Sequence, residues 1–138
     1  MAENFLDVFT QQAITCFGHE GSSEHYKRLK ETGALHGTQC GGCESITFPP
    51  RSFCPECRSD DVTWVPIGEG ATLYAFTTQQ RALRFTAPAV IGIVEVPNVG
   101  LMMAPIKGRL EDLTLGQPLT MEVVNLSEDL CVHQFVPA

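Results

Sequence analysis

Four cysteines in two closely spaced pairs carry the most specific chemistry in this sequence. Each pair has the form Cys-x-x-Cys and ten residues separate the pairs, which consist of Cys40, Cys43, Cys54 and Cys57. Two thiolates three positions apart bind one ion from a tight turn, and a second pair completes the sulfur tetrahedron that Zn²⁺ accepts. Four protein ligands leave no coordination position open for water or substrate. The spacing therefore predicts a closed, structural zinc site.

The residues between the cysteines fit a pair of metal-binding turns. Gly41 and Gly42 lie inside the first pair, where we expect backbone angles that favour glycine, and Pro55 restrains the second turn. Two buried disulfides, four unrelated thiols and a redox-active dithiol are the alternatives. The first two would have to produce this paired spacing by accident, and a redox dithiol needs only one Cys-x-x-Cys.

Outside this array the sequence predicts no catalytic residues. Cys16 falls on a predicted helix and Cys131 begins a predicted strand, and a cysteine in such a position is usually a small buried hydrophobic residue. His133 faces the same side of its strand as Cys131, but no third group is placed to orient a nucleophile and its base. The other histidines are expected to take no part in chemistry, two being exposed and one redundant beside four cysteines: His19, His25 and His36.

Net charge and composition limit the classes of protein that fit. The 138 residues carry a net charge of −7 and are 43% hydrophobic, which suits one domain with a packed core and an appendage. From residue 60 onward four basic residues stand against nine acidic ones, which opposes nucleic-acid binding. The longest apolar stretch, residues 87–94, is too short to cross a membrane. The N-terminus lacks a signal-peptide pattern, so we expect a cytoplasmic protein with reduced, metal-bound cysteines.

Hydrophobic periodicity predicts two helices before the cysteine array and short strands within and after it. The first helix is expected over residues 4–17, where apolar residues recur every four positions, and the second over residues 23–32, ending at Gly33. The strands are predicted at residues 47–48, 62–65, 71–79, 89–96, 100–106, 118–126 and 131–136. The last five strands favour a small barrel, because closure removes exposed sheet edges. An open sandwich is the alternative.

Further motifs accompany the cysteine pairs, namely Phe48-Pro-Pro-Arg51, Trp64, Gly68-Glu-Gly70, Leu115-Gly-Gln-Pro118 and Phe135-Val-Pro137. Together they resemble the zinc-ribbon/OB-fold proteins that accompany thiolases and related acyl-CoA enzymes, over about residues 22–138. The resemblance implies a mainly β fold with N-terminal helices. We expect a helical segment over residues 1–35, a rubredoxin-like zinc ribbon over residues 36–66 and a five-stranded OB-fold barrel over residues 67–138.

The resemblance also implies a function. Proteins of this family act as non-catalytic subunits, so we expect a zinc-binding scaffold in a hetero-oligomeric complex with a thiolase-like acyl-CoA enzyme. The zinc-finger subunit of a benzoylsuccinyl-CoA-type thiolase, which would serve aromatic degradation, is one specific version. An auxiliary subunit of an acyl-CoA hydratase and a protein that binds single-stranded nucleic acid are the alternatives, and the acidic barrel opposes the second.

Five residues are candidates for contact with a CoA thioester or with the partner: Phe48, Arg51, Arg81, Arg84 and Phe85. Arg51 follows two prolines that stiffen its approach, so its guanidinium could meet a phosphate or carboxylate. Arg81 and Arg84 beside Phe85 could hold a CoA phosphate while the adenine stacks. The alternatives are an ion pair of Arg51 with Glu44 or Glu56, a solvated loop over residues 81–85, and packing of Phe48 and Phe53 over the metal.

Overall fold

The computed structural model describes residues 20–80, 89–128 and 131–138. Within these ranges it consists of a helix, a small three-stranded sheet and a larger five-stranded sheet. The helix predicted over residues 4–17 lies outside the described residues, as do Cys16, His19, Arg81, Arg84 and Phe85. In the part that is described, no helix is long and apolar enough to span a membrane.

The helix, α1, extends over Glu20–Thr32 and begins three residues earlier than the sequence predicted. It ends where Gly33 adopts φ = +69° and its N–H donates to the Leu29 carbonyl at 2.9 Å, a left-handed cap that glycine adopts without strain. Leu29 is fully buried. The expectation that His25 would be exposed is wrong: only 6% of it is accessible, because this side of the helix also packs against the rest of the chain.

The three-stranded sheet has the order β2–β1–β3, and all its pairs are antiparallel. Its strands are β1 (Leu35–Cys40), β2 (Ile46–Thr47) and β3 (Val62–Ile67). The central strand, β1, was not predicted. It is buried over nearly its whole length, so its sequence lacks the alternation that marks a strand with one exposed face. Gly37 lets β2 approach, since a Cβ there would lie 2.8 Å from the Thr47 carbonyl oxygen.

The five-stranded sheet confirms the predicted strands of the C-terminal half to within about two residues. They are β4 (Thr72–Gln79), β5 (Ala89–Val96), β6 (Gly100–Ile106), β7 (Leu119–Asn125) and β8 (Cys131–Pro137). Their order is β4–β5–β6–β8–β7, with β6 and β8 parallel and the other pairs antiparallel. A short 3-10 helix, Leu110–Asp112, connects β6 to β7.

The sheet closes into a barrel where the start of β4 meets the start of β7. The Leu119 N–H donates to the Ala71 carbonyl at 2.8 Å, and the Gly116 N–H donates to the Leu73 carbonyl at 2.7 Å. Thr72 and Pro118 form a bridge between these two hydrogen bonds. Closure in this strand order is the arrangement of an OB-fold barrel, so the predicted fold class is confirmed and the open sandwich is not formed.

One hydrophobic core is shared by the helix, the ribbon and the barrel. Leu29 of α1 and Leu35 of β1 belong to the same buried cluster as Leu73, Val94 and Phe135 of the barrel. On the other side of the ribbon sheet, the Arg28 guanidinium lies 5.0 Å from the centre of the Trp64 ring, a cation–π contact between α1 and β3. The metal-binding end of the ribbon therefore projects from a helix and strand that are anchored in the barrel core.

Candidate metal centre

Each cysteine pair lies in a turn with the same hydrogen-bonding pattern. In the first turn, the Cys40 N–H donates to the Ser45 carbonyl at 3.0 Å and the Glu44 N–H donates to the Cys40 carbonyl at 3.1 Å. In the second turn, the Cys54 N–H donates to the Ser59 carbonyl and the Arg58 N–H donates to the Cys54 carbonyl, both at 2.8 Å. The two turns thus repeat one backbone structure, which directs all four thiols toward a common point.

The sequence contains a signal for this repeat that was not among the predicted features. Both turns read Cys-x-x-Cys-x-Ser, and the second repeats the first fourteen positions later. The residue directly after each pair, Glu44 or Arg58, adopts φ = +65°. Such left-handed backbone is uncommon for residues other than glycine, and the paired hydrogen bonds of the turn hold it in place.

The predicted reason for glycine in the first turn is wrong. Gly41 and Gly42 are not among the described residues with positive φ. Gly41 instead makes a close approach, since a Cβ at this position would meet the carboxylate of Asp61, an exposed side chain that can rotate away. Its N–H donates to the Asp61 carbonyl at 2.8 Å, so the first turn lies directly against the chain that enters β3.

The four sulfurs fit a single tetrahedral metal ion. All four Sγ atoms lie within 4.8 Å of one another, with 3.4 Å between Cys40 and Cys57 and 3.5 Å between Cys43 and Cys54. Zn–S bonds of about 2.3 Å place tetrahedral sulfurs about 3.8 Å apart. Among the described residues, this is the one group of three or more metal-ligating side chains close enough to share an ion. The set therefore fits a structural Zn²⁺.

Hydrogen bonds lower the pKa of two of the four thiols, Cys40 and Cys54, whereas hydrogen bonds with the neighbouring thiols, that of Cys40 first, raise the pKa of Cys57 to about 11. The Ser45 hydroxyl oxygen lies 3.0 Å from Cys43 Sγ and 3.3 Å from Cys54 Sγ. With the backbone amides of Cys57 and Glu56 it lowers the pKa of the Cys54 thiol to about 6. Backbone amides, that of Cys43 first and that of Gly42 second, lower the pKa of Cys40. The Gly42 N–H lies 3.3 Å from Cys40 Sγ. Metal would therefore bind Cys40 and Cys54 with less proton release than ordinary thiols, whereas Cys57 would give up its proton on binding.

The site is half-enclosed, since Cys40 and Cys54 are buried while Cys43 and Cys57 are exposed. A Zn²⁺ held by all four would cross-link the two turns and offer no ligand position to a substrate. The role that the arrangement supports is therefore structural: the bound ion would fix the tip of the ribbon in one conformation.

Of the five candidate contact residues, the structure describes Phe48 and Arg51. Phe48 is half-buried, with its ring centre 5.6 Å from His25 and 6.1 Å from His133. Arg51 is exposed, and its backbone N–H donates to Thr38 Oγ1 at 3.1 Å. Within residues 20–80, 89–128 and 131–138, no ion pair joins Arg51 to an acidic residue. Phe48 thus contacts the helix and barrel rather than the metal, and Arg51 presents its guanidinium to solvent.

Cys131 and His133 contact α1 from the last strand of the barrel. Cys131 is buried, with its sulfur 3.9 Å from the Tyr26 carbonyl oxygen, and burial raises the pKa of its thiol. A thiol that is buried and protonated is a poor nucleophile. His133 is partly buried beneath His25 and Phe48. Both residues therefore pack the junction between α1 and the barrel.

A closed four-cysteine ribbon packed on an OB-fold barrel defines the class of zinc-ribbon/OB-fold proteins. The family model for the ChsH2 rubredoxin-like zinc ribbon domain matches residues 29–63. The model for the ChsH2 C-terminal OB-fold domain matches residues 64–124. The chain belongs to this ChsH2 family, whose relatives carry the name DUF35, and the resemblance found in the sequence is confirmed.

A curated relative and two solved structures resemble the chain over most of its length. A DUF35 domain-containing scaffold protein of Methanocaldococcus jannaschii is 25% identical over 109 residues, covering 75% of this chain and 77% of the relative. A solved structure described as the Ltp2-ChsH2(DUF35) aldolase has 20% identity and a TM-score of 0.74, covering 86% of this chain and 95% of that one. A DUF35 protein of unknown function from Sulfolobus solfataricus has 19% identity and a TM-score of 0.62, covering 96% and 95%. At such identities the solved structures show a shared fold.

Proposed function

We propose that this chain is a non-catalytic, zinc-stabilised scaffold subunit of an enzyme complex that processes acyl-CoA thioesters. The observation that carries the proposal is a closed four-sulfur site on a ribbon whose base is anchored in the barrel core. Two relatives support it by their descriptions, one as a scaffold protein and one as part of an aldolase assembly. Such a site stiffens a surface and leaves the chemistry to another subunit.

Zinc would supply the rigidity that a ribbon of this size lacks by itself. Of residues 41–61, only Cys54 is buried, so apolar packing contributes little to the order of the two turns. A structural zinc site contributes about 10–16 kcal/mol of apparent folding free energy, which equals or exceeds the whole stability of many domains. The ordered ribbon can then hold a partner in register, which accelerates a reaction by positioning alone.

The finer part of the proposal is that the partner is a thiolase-like enzyme and that a CoA thioester passes close to the ribbon. The partner would provide the nucleophilic cysteine and the acid–base residues. On this chain, the exposed guanidinium of Arg51 would meet a phosphate of CoA, with Arg81, Arg84 and Phe85 as further candidates. Phe48 would act from its half-buried position by supporting the ribbon loop.

Reconstitution tests the scaffold function. The chain is purified from its native host through an affinity tag, the subunit that co-purifies in stoichiometric amount is identified by mass spectrometry, and turnover of acyl-CoA thioesters is measured. We expect no turnover by this chain alone and a marked increase when it joins the partner. Turnover of a thioester by the isolated chain, or a wild-type chain without a stoichiometric partner, would contradict the proposal.

Cys43→Ser tests the role of the metal in the same experiment. Removal of one sulfur should reduce bound zinc, measured by elemental analysis, and should also reduce the amount of co-purified partner. Cys131→Ser is the matched control, because this buried cysteine lies outside the four-sulfur group. Retention of both zinc and partner by Cys43→Ser would show that the ribbon needs no metal for this function.

Arg51→Ala tests contact with CoA. Loss of a charge-assisted hydrogen bond weakens binding by about 1.5–3 kcal/mol, so KM for the thioester should rise at least tenfold with kcat nearly unchanged. Lys107→Ala is the control, since Lys107 is another exposed cation, on the barrel. An unchanged KM would assign the binding of CoA to the partner.

A further inference from the structure

The outer face of the sheet formed by β4, β5 and β6 is apolar on β5 and β6 apart from Glu95, and it is at least partly exposed. Met103 is 68% accessible, Tyr74 57% and Leu101 55%. In the strand register Met103 lies beside Ile93, and Pro105 lies beside Ile91. These residues alternate with the buried core positions of β5 and β6, so their side chains point away from the barrel interior. We refer to this surface, over β4, β5 and β6, as the outer face.

A solvated strand normally carries polar residues on its outward side, and the outer face departs from that rule. Among the outward positions of these three strands, Glu95 carries the one charge, in a chain whose net charge is −7. Three strands about 4.8 Å apart, with outward residues about 6.8 Å apart along each strand, give a face of a few hundred Å², which is apolar over β5 and β6 and bordered on β4 by Thr72, Thr77 and Gln79. Apolar patches of that size on a monomer commonly mark interaction sites.

A cavity of about 480 Å³ opens at one end of the outer face. It lies between Gly70 and the turn from β5 to β6, above the paired residues Thr72 and Glu95. Glu95 is again the one charged residue in its lining, and within the described part of the chain Glu95 forms no ion pair. The cavity is large enough for a long side chain, and its unpaired carboxylate selects a basic one.

We propose that the outer face docks a different protein subunit, which covers Ile93 and Met103 with apolar side chains and places a lysine or arginine against Glu95. A second copy of this chain is disfavoured by charge. A twofold contact pairs this face with itself, and its three strands contain no lysine or arginine that could meet Glu95, while each chain carries a net charge of −7. A partner with a basic residue beside an apolar patch meets both features of the face.

This inference rests on the proposed scaffold function, because it assigns the surface that the partner subunit occupies. The ribbon and the outer face then have separate roles: the zinc site keeps the ribbon ordered, and the outer face supplies the apolar centre of the interface. Interfaces gain most of their affinity from such a desolvated centre.

Cross-linking tests which chain occupies the face. A photo-cross-linking side chain is introduced at Met103 and, as a control, at Leu110, which is also exposed but lies in the 3-10 helix beyond the far end of β6. In the native host we expect the probe at Met103 to cross-link to the stoichiometric partner, at a peptide that contains a lysine or arginine. Cross-links from Met103 to residues 1–19 of the same chain or to a second copy would overturn the inference.

Two substitutions measure the contribution of the face. Met103→Asp and Glu95→Lys are each expected to weaken the Kd for the purified partner at least tenfold, while Leu110→Asp and Glu128→Lys, matched in chemistry, leave it within twofold. Zinc content and circular dichroism report whether each variant is folded. Glu95→Lys changes an exposed side chain, so it remains informative if Met103→Asp does not fold.

The outcomes separate this inference from the proposed function. If the wild-type chain co-purifies with a stoichiometric partner and the variants bind that partner equally well, the inference about the outer face is wrong and the proposed scaffold function is retained. A wild-type chain with no partner overturns both. Loss of binding in Met103→Asp and Glu95→Lys but not in the controls, with a cross-link from Met103 to the partner, supports both.

Discussion

The Ser45 hydroxyl lies between two sulfurs of the metal site, 3.0 Å from Cys43 Sγ and 3.3 Å from Cys54 Sγ. Hydrogen bonds to metal-bound thiolates hold them in orientation and spread their charge, and loss of such a partner typically lowers metal affinity 10–100-fold. We therefore expect Ser45→Ala to release zinc to a competing chelator about tenfold faster than the wild type. A colorimetric chelator assay measures the rate.

Ser59 provides the matched control for Ser45, because it occupies the equivalent position of the second turn. Its hydroxyl accepts the Asp61 N–H at 3.1 Å instead of contacting a sulfur. Ser59→Ala should therefore release zinc at nearly the wild-type rate. Equal rates for Ser45→Ala and the wild type would show that the backbone turns alone determine the affinity.

His25 is the most perturbed buried base in the described part of the chain. Burial first, and then repulsion from His133 and His36, together lower its pKa from 6.5 to about 4. Burial also lowers the pKa of His133. Three of their ring nitrogens are buried without a hydrogen-bond partner among the described residues: Nδ1 of His25, and Nδ1 and Nε2 of His133. Tyr26, Phe48 and Phe135 also border the two rings, and none of them supplies a negative charge at neutral pH.

The junction between α1 and the barrel should therefore lose stability in acid. His25 is protonated near pH 6.5 in the unfolded chain and only near pH 4 in the folded chain. Its contribution to the free energy of unfolding is therefore complete above pH 6.5 and declines as the pH falls toward 4. The free energy of unfolding that is lost between neutral pH and pH 5 through His25 amounts to about 2 kcal/mol. Urea unfolding of the wild type and of His25→Gln, from pH 7.5 to pH 5, measures it.

Zinc thiolates also protonate in acid, and the comparison with His25→Gln isolates the histidine because both proteins contain the same metal site. The unfolding free energy of His25→Gln should decline less steeply with falling pH than that of the wild type, whatever its stability at pH 7.5. Parallel pH profiles for the two proteins would show that His25 does not titrate in this range.

At the scale of elements, the packing of β5 depends on the absence of a side chain at Gly92. A Cβ at this position would lie 2.6 Å from Ile106 Cγ1 and 3.2 Å from Leu73 Cδ1, inside a core of fully buried residues. Gly92→Ala should destabilise the protein by about 1–3 kcal/mol, the usual effect of overpacking. Thermal or urea unfolding measures the loss.

A double-mutant cycle with Ile106 distinguishes overpacking from a change of strand propensity. Ile106→Ala alone should cost about 2–5 kcal/mol through the cavity it leaves. In combination with Gly92→Ala the total should be less than the sum, because the new methyl group enters that cavity. Strict additivity of the two free-energy changes would exclude the proposed clash.

The sequence predicted elements whose signals are local and missed those that depend on packing between elements. The cysteine pairs are close in the chain, and the barrel strands are short runs bounded by turn residues, so both were predicted correctly. The strand β1, Leu35–Cys40, is covered on both faces and contains Gly37, Gln39 and His36, so it follows neither the alternating pattern nor strand propensity. His25 is likewise polar by residue type, so it was predicted to be exposed. Its burial results from contacts with Phe48, which follows β2, and with His133 of β8.

At the metal site, too, local signals were predicted from the sequence and contacts between distant residues were not. The ligand residues follow from spacing alone, whereas the close approach of Gly41 to Asp61, twenty positions away in the chain, does not. The outer face could not be predicted from alternation either. Both sides of β5 and β6 are apolar, and only the register and the shared core show that Ile93 and Met103 face outward.

At the scale of the whole molecule, the shared core and the metal site should form two regions of different stability. Leu29 and Leu35 join the barrel in one apolar cluster, whereas residues 41–61 contribute one buried side chain, that of Cys54. Removal of zinc should therefore disorder the two turns while the barrel persists, because the barrel strands have their own hydrogen bonds and core. Hydrogen exchange detected by mass spectrometry, with and without a chelator, resolves the two regions.

After chelation, peptides that span residues 40–61 should exchange at nearly the rate of unfolded chain, because the amide hydrogen bonds of Cys40, Cys54 and Arg58 depend on closed turns. Peptides from β5 and β6 should keep most of their protection, and added zinc should restore the ribbon. Cys43→Ser should exchange like the chelated wild type even in the presence of zinc. Loss of protection throughout the chain would mean that the metal supports the shared core as well, and unchanged protection at residues 40–61 would mean that the turns are stable without it.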